Sequence, residues 1–142
     1  MFSRYAFFGL GAFFLLWAVS IVGAAALCCS WLFAKTDYED GVLSRNSRYL
    51  ITTRALLAAA CIIFWICTCL GHVLTASGEG VFMFWEHHPA ALQITLIPAD
   101  LVSAASTLFS WQLNGPRSWV VKVATAIFFL DAITSSIILW QP

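Results

Sequence analysis

The sequence predicts an all-α protein built as an antiparallel bundle of four transmembrane helices. Of its 142 residues, 61% are hydrophobic and only 10% are charged, whereas a soluble domain carries about 25% charged residues. The mean hydropathy is +0.87, and the apolar residues fall into four stretches that each exceed the ~20 residues needed to cross a bilayer. These observations exclude a soluble globular domain. The seven basic and seven acidic residues balance, so no field of one sign favours binding to nucleic acid.

We predict helices over residues 5–34, 55–78, 89–113 and 119–140, within one membrane domain that covers 1–142. The first stretch is free of charge, and at 1.5 Å per residue it is longer than the hydrocarbon core. The second is interrupted only by His72, and the third and fourth carry one acid each. The connections between the stretches are short, which suits antiparallel neighbours.

A secretory signal is the alternative for the first stretch. Arg4 precedes it, and the small residues Gly23–Ala26 loosely resemble a cleavage site. The apolar region of a signal is about 7 to 15 residues long, and this one continues through Phe33. We therefore expect the first helix to be retained.

Two acids within the predicted helices are the strongest candidates for a functional site. An ionisable side chain near the centre of a bilayer costs at least ~2.5 kcal/mol, so it usually faces protein or water. Each acid is followed by hydroxyl side chains on the same helix face: Ser103 and Thr107 follow Asp100, and Thr134 and Ser135 follow Asp131. One hypothesis is a proton or cation relay between the two carboxylates. The other, favoured because neither helix core contains Lys or Arg, is that these six residues form polar contacts between helices.

The histidines and cysteines do not predict a metal or cofactor site. His72, His87 and His88 would gather at one membrane face, but their spacing specifies neither a haem pair nor four zinc ligands. The five cysteines lie in predicted helices without a C-x-x-C motif, which favours a packing role. Cys28 and Cys29, near a helix end, are candidate palmitoylation sites. Since no catalytic motif is present either, we predict no enzymatic activity and no cofactor.

Charges and tryptophans predict how the bundle sits in the membrane. Five tryptophans fall near predicted helix ends and indicate an aromatic belt: Trp31, Trp85, Trp111, Trp119 and Trp140. Six of the seven basic residues lie in or beside the first and third connections: Lys35, Arg45, Arg48, Arg54, Arg117 and Lys122. The positive-inside rule therefore places these connections in the cytosol and both termini outside.

The layout of the chain resembles fungal MARVEL-domain proteins. The resemblance rests on Ser47–Tyr49 leading into Ala55–Leu74, on Leu96–Val102 in the third helix, and on Arg117-Ser118 leading into Val123–Leu130. It implies a non-enzymatic four-helix membrane protein tied to membrane apposition, lipid-domain organisation and vesicle trafficking. It also implies that both termini lie in the cytosol, opposite to the charge count.

The predicted function is that of a multi-pass membrane protein without catalytic activity that organises or scaffolds membrane domains, or acts in trafficking. Its expected partners are membrane lipids and other membrane proteins or further copies of itself, with no nucleic acid. One alternative is a small proton-coupled transporter that uses Asp100 and Asp131. Another is an accessory subunit of a larger membrane enzyme.

Overall fold

The structure, a computed structural model, describes residues 4–36, 38–73, 85 and 88–140. Four long helices occupy most of this part of the chain: α1 (Arg4–Phe33), α2 (Arg45–Val73), α3 (Pro89–Trp111) and α4 (Ser118–Trp140). Each contains a segment long and apolar enough to cross a membrane. The predicted all-α, four-helix architecture is thereby confirmed, and it is the architecture of an integral multi-pass membrane protein.

The helices pack as a closed ring in which each contacts the helices before and after it, and α4 returns to α1. The core lies on the ring's axis and includes Leu16, Phe64, Leu96 and Phe128, all with essentially no exposed surface. The rings of Phe64 and Phe128 meet edge to face, with centroids 6.1 Å apart. Contacts near opposite ends of α3 and α4, described below, show that these neighbours run antiparallel.

The second helix begins at Arg45, ten residues before the predicted start at residue 55. Ser44 caps it, since the backbone N–H of Ser47 donates to Ser44 Oγ at 3.2 Å and that of Arg48 donates to Ser44 O at 3.0 Å. The predicted boundary was wrong because it followed charge, and charged side chains at a membrane surface do not end a helix. The predicted continuation of this helix to residue 78 lies outside the described residues beyond Val73. The described ends of the other helices agree with prediction within two residues.

A small hairpin that was not predicted connects α1 to α2. Strand β1 (Tyr38–Glu39) pairs antiparallel with β2 (Val42–Leu43). The turn residues Asp40 and Gly41 have φ angles of 51° and 79°, as a type I′ turn requires. Asp-Gly is a favoured sequence for that turn, so the signal was present in the chain.

Both described connections lie at one end of the bundle, where α1 and α3 end and α2 and α4 begin; we call this the basic end. Here the backbone N–H of Asn114 donates to Asn46 Oδ1 at 2.6 Å, which ties the α3–α4 connection to the first turn of α2. A second, smaller core of Leu50, Leu113 and Val121 lies beneath this contact. The basic end is therefore a packed surface in which the two connections are joined.

Of the five tryptophans predicted at helix ends, four are exposed there and one is buried. Trp31, Trp111 and Trp119 are exposed at the basic end, and Trp140 is exposed at the other, as an aromatic belt requires. Trp85 does not belong to this belt, because it is only 2% exposed and its indole N–H donates to the carbonyl of Cys67. The prediction was wrong for Trp85, which belongs to the buried core and is bonded to α2 instead.

Candidate functional site

The two predicted acids lie at the same depth, near the middle of the membrane-spanning helices. Asp100 is midway along α3, about 16 Å from either end. The amide of Gln93 donates to Leu139 O at 3.2 Å, and Thr107 Oγ1 donates to Thr125 O at 3.3 Å. Asp100 lies midway between Gln93 and Thr107 on α3. Ala132 lies midway between Thr125 and Leu139 on α4. Asp100 is therefore level with Ala132, the residue next to Asp131.

Polar residues spaced seven apart form one face of α3 against α4. This face consists of Gln93, Asp100 and Thr107. We use the name α3–α4 seam for this face together with the groups of α4 that it contacts. Seven-residue spacing keeps side chains on one face of a helix that packs against a neighbour. The seam also includes a 2.8 Å hydrogen bond between the hydroxyls of Ser110 and Thr125. Polar contacts thus join α3 and α4 near both ends of the seam.

Asp100 occupies the centre of the seam, where the polar groups are incompletely paired. The Ser136 hydroxyl of α4 lies close to its carboxyl group across the interface. Nevertheless Oδ1 of Asp100 and Oγ of Ser136 are buried without a well-formed hydrogen bond to any described residue. Ser136 was not among the predicted contacts, although an antiparallel register between α3 and α4 would have indicated it.

The hydroxyl side chains near Asp100 on α3, of which Ser103 and Thr107 were predicted, differ in what they bind. Ser103 is fully buried, but its Oγ donates to the carbonyl of Asp100 in the same helix at 2.8 Å. Ser106 donates in the same way to Ser103 O, a local bond that small hydroxyls commonly make within helices. Thr107 alone among the predicted hydroxyls of α3 reaches the neighbouring helix. The seam therefore includes only those hydroxyl side chains of α3 that reach α4, and Ser103 and Ser106 are not among them.

Asp131 lies on a different side of α4 from the seam. It is separated from Ser136 by five residues, or about 140° around the helix. The residue is partly exposed, while its Oδ2 is buried without a hydrogen-bond partner among the described residues. The two acids are therefore level with each other but do not face each other, since the body of α4 lies between them.

Asp131 belongs to a stripe along the outside of α4, made of Ile127, Asp131, Thr134 and Ile138; we call it the α4 stripe. Ile127 and Ile138 are 54% and 51% exposed, and Thr134 is exposed as well. Ser135, the other predicted companion of Asp131, is buried within the bundle instead. The stripe thus presents the hydroxyl-bearing Thr134 and part of the half-buried Asp131 to the membrane near mid-depth, flanked by two isoleucines.

Arg54 makes a connection that was not predicted. Its guanidinium donates to the carbonyls of Ser30 and Ala34 at 2.9 and 2.7 Å, and it lies 4.0 Å from the ring centroid of Trp31. The last carbonyls of a helix have no partner within it, and the helix dipole places negative charge there. Arg54 therefore caps the end of α1 from within α2, although the sequence suggested only a charge beside a connection.

The remaining candidates are placed as follows. Cys28 is exposed and Cys29 is partly exposed near the end of α1, where a membrane-bound acyltransferase could reach Cys28. Among the described residues, no three potential metal ligands come together. The side chain of His72 and the whole of His87 lie outside the described part of the chain, whereas His88 is exposed just before α3.

Comparison with known proteins provides no relative for this chain. No family model, no curated protein and no solved structure matches it.

Proposed function

We propose that this protein organises the membrane by lateral association of its copies, without catalytic activity of its own, and that the α4 stripe is the contact between copies. The observation that carries the proposal is the presence of partly exposed Asp131 and exposed Thr134 on the outer side of α4 near mid-depth. Helices in lipid associate through packing and interhelical hydrogen bonds, because lipid supplies no hydrophobic drive between them. Asp131 and Thr134 in this position can form hydrogen bonds with polar side chains of a second helix.

The spacing of the α4 stripe suits the same stripe on a second copy. Its residues follow one another at intervals of four, three and four, the pattern of a left-handed helix pair. Copies of one protein share the same orientation in a membrane, so a two-fold axis would bring Asp131 beside Asp131 and Thr134 beside Thr134. A protonated carboxyl in that position donates a hydrogen bond to its counterpart or to the hydroxyl, which removes the cost of leaving both in lipid.

The resemblance to MARVEL-domain proteins supports the same functional class, membrane organisation without catalysis. The resemblance itself, and the trafficking role that it implies, stay predictions. In this proposal the partners of the bundle are further copies of the chain and the membrane lipids that surround it. The four exposed helix faces bear large apolar side chains suited to them, such as Ile62, Leu101 and Leu130.

Energy transfer between copies tests the proposal. The full chain, labelled with donor or acceptor at its C-terminus, is reconstituted into phosphatidylcholine vesicles over a range of protein-to-lipid ratios. Asp131→Ile should weaken self-association about tenfold, since interhelical polar contacts contribute about 1–2 kcal/mol. It should not unfold the monomer, because the substitution removes a buried oxygen that lacks a partner.

The matched control is Leu130→Ala, which alters an exposed apolar side chain beside the stripe. It should leave energy transfer unchanged. Equal transfer for the original chain and Asp131→Ile would contradict the α4 stripe as the contact. Stable co-purification with a different, larger membrane protein in place of self-association would favour the accessory-subunit alternative.

A proton-coupled carrier is the second candidate, and a specific observation favours it. Asp100 and Asp131, both near mid-depth, and Ser136, nearer the end of α4, each have a buried oxygen without a hydrogen-bond partner among the described residues. Asp100→Asn and Asp131→Asn together should abolish pH-dependent flux across reconstituted vesicles if the acids carry protons. Under the association proposal, vesicles with the original chain and with the double variant should show the same flux.

A further inference from the structure

A cavity of about 240 Å³ opens at the basic end of the bundle. It lies where three parts of the chain meet: the end of α1, the first turns of α2, and the connection between α3 and α4. We infer that this cavity binds the phosphate of an anionic phospholipid in the adjoining leaflet, with Lys35 and Arg117 as the cationic contacts.

Two positive side chains from separate connections line this cavity. Lys35 follows α1, Arg117 precedes α4, and both are exposed. No carboxylate is among the described residues that line the cavity. Ser118, the first residue of α4, lines it too, so the positive end of that helix dipole faces the same space. This arrangement is complementary to an anion and repels a cation.

The walls of the cavity are apolar where they approach the membrane. Leu50 and Leu113 form its floor and are essentially fully buried. Leu32 and Phe33 line it from the membrane side and are 70% and 40% exposed. A ligand that fits such a site has a charged group directly joined to hydrocarbon, which describes the phosphate and glycerol region of a phospholipid better than a free phosphate ion.

The polar wall of the cavity is held in place before any ligand binds. Asn46 Oδ1 accepts the backbone N–H of Asn114 at 2.6 Å, and this bond fixes the connection that carries Arg117. Because Oδ1 is engaged, the amide nitrogen of Asn46 is left as a donor along the cavity. Arg54 is not among the residues that line the cavity, and its Nη2 is bonded to two carbonyls at the end of α1.

The position of the cavity agrees with this ligand. Exposed Trp31, Trp111 and Trp119 lie at the same end and mark the level of the lipid headgroups. Six of the seven basic residues are at this end, and the positive-inside rule predicts that it faces the cytosolic leaflet. That leaflet carries the anionic phospholipids, and basic pockets at helix ends on that side bind their headgroups.

Native mass spectrometry of the full chain released from nanodiscs tests the inference. The nanodiscs contain phosphatidylcholine with one-fifth phosphatidylglycerol, a simple anionic phospholipid. We expect one phosphatidylglycerol retained per chain. The double variant Lys35→Gln/Arg117→Gln should weaken its retention about 30-fold, from roughly fivefold for each cationic side chain near a lipid phosphate.

The matched control is Arg48→Gln/Lys122→Gln, which removes the same charge from the same end without touching the cavity lining. It should retain the lipid at close to the original level. Equal losses in the two double variants would overturn the inference, because they would show diffuse attraction of the membrane surface and no site. Helical circular dichroism verifies that each variant is folded.

A steric variant and a soluble competitor complete the test. Ala34→Phe places bulk at the cavity wall without a change of charge, so it should also release the lipid. Glycerol phosphate, which has the headgroup chemistry without acyl chains, should not displace the bound lipid at millimolar concentration. Displacement by glycerol phosphate would overturn the assignment to a lipid and point to a soluble phosphate ligand.

Discussion

At the scale of single residues, Arg54 is the side chain whose role differs most from its sequence context. The sequence placed it among the basic residues of a connection, whereas the structure buries it to 8% exposure against the end of α1. Its two hydrogen bonds to Ser30 and Ala34 join helices that are neighbours in the chain. Charge counts treat every Arg alike, so this role could not be predicted without knowing that α2 begins before residue 55.

Replacing Arg54 should destabilise the bundle. Hydrogen bonds to charged groups contribute about 1.5–3 kcal/mol, so Arg54→Gln should lower the free energy of unfolding by about 2–3 kcal/mol. Arg54→Lys should recover part of this loss, because it keeps the charge near the helix end. Denaturation of the detergent-solubilised protein measures both. Arg48→Gln is the control, since Arg48 is exposed and makes one long bond, 3.4 Å to Leu43 O; equal effects at positions 48 and 54 would be inconsistent with the capping role.

Among the candidate site residues, the sequence identified the two acids but not their relation. The sequence placed each acid within a spanning helix, and the helix bounds of the structure put both near the middle of those helices. Whether the two acids face each other depends on how α4 is rotated relative to α3 and α1. The spacing of side chains within one helix does not determine that rotation. Thr134 and Ser135 show the limit, because they share a face with Asp131 by spacing but lie on opposite sides of the boundary between lipid and core.

At the scale of elements, α1 packs closely against two neighbours at Gly23. A Cβ added there would lie 2.6 Å from Cys61 Sγ of α2 and 2.8 Å from Phe128 of α4. The glycine therefore allows one helix to approach two neighbours at once. The sequence showed small residues on α1 without indicating which of them lay at a contact, since that depends on the rotation of the helix.

Gly23→Ala should therefore destabilise the bundle by about 1–3 kcal/mol, the usual cost of overpacking a core. Gly11→Ala is the matched control in the same helix, because a Cβ at Gly11 meets nothing within 4 Å. That variant should be neutral or slightly stabilising, as alanine favours helix. Thermal unfolding in detergent distinguishes them, and a Gly23→Ala protein as stable as the Gly11→Ala protein would refute the close approach.

The four helices themselves were predictable from composition, because hydrocarbon imposes both length and backbone pairing on any spanning segment. The start of α2 and the hairpin were missed for a related reason. Hydropathy reports where the membrane lies, whereas Ser44 and Asp40-Gly41 determine where helix and turn begin. At the membrane surface these two boundaries need not coincide.

At the scale of the whole molecule, the bundle is asymmetric along the membrane normal. One end combines the hairpin, the second core, the cavity and most of the basic residues. The charge count predicts that this end is cytosolic, with both termini outside, while the MARVEL resemblance predicts the reverse. A C-terminal reporter that is accessible on unpermeabilised cells would support the charge count, and one accessible only after permeabilisation would support the resemblance.

The central claim is that the α4 stripe joins copies of the protein within the membrane. A photoreactive amino acid at position 134 tests it most directly in intact membranes, with position 137 as control, since both side chains are exposed on α4. Illumination should give a covalent dimer of this chain from position 134 and little from position 137. Dimer of equal yield from both positions, or none from position 134, would contradict the claim.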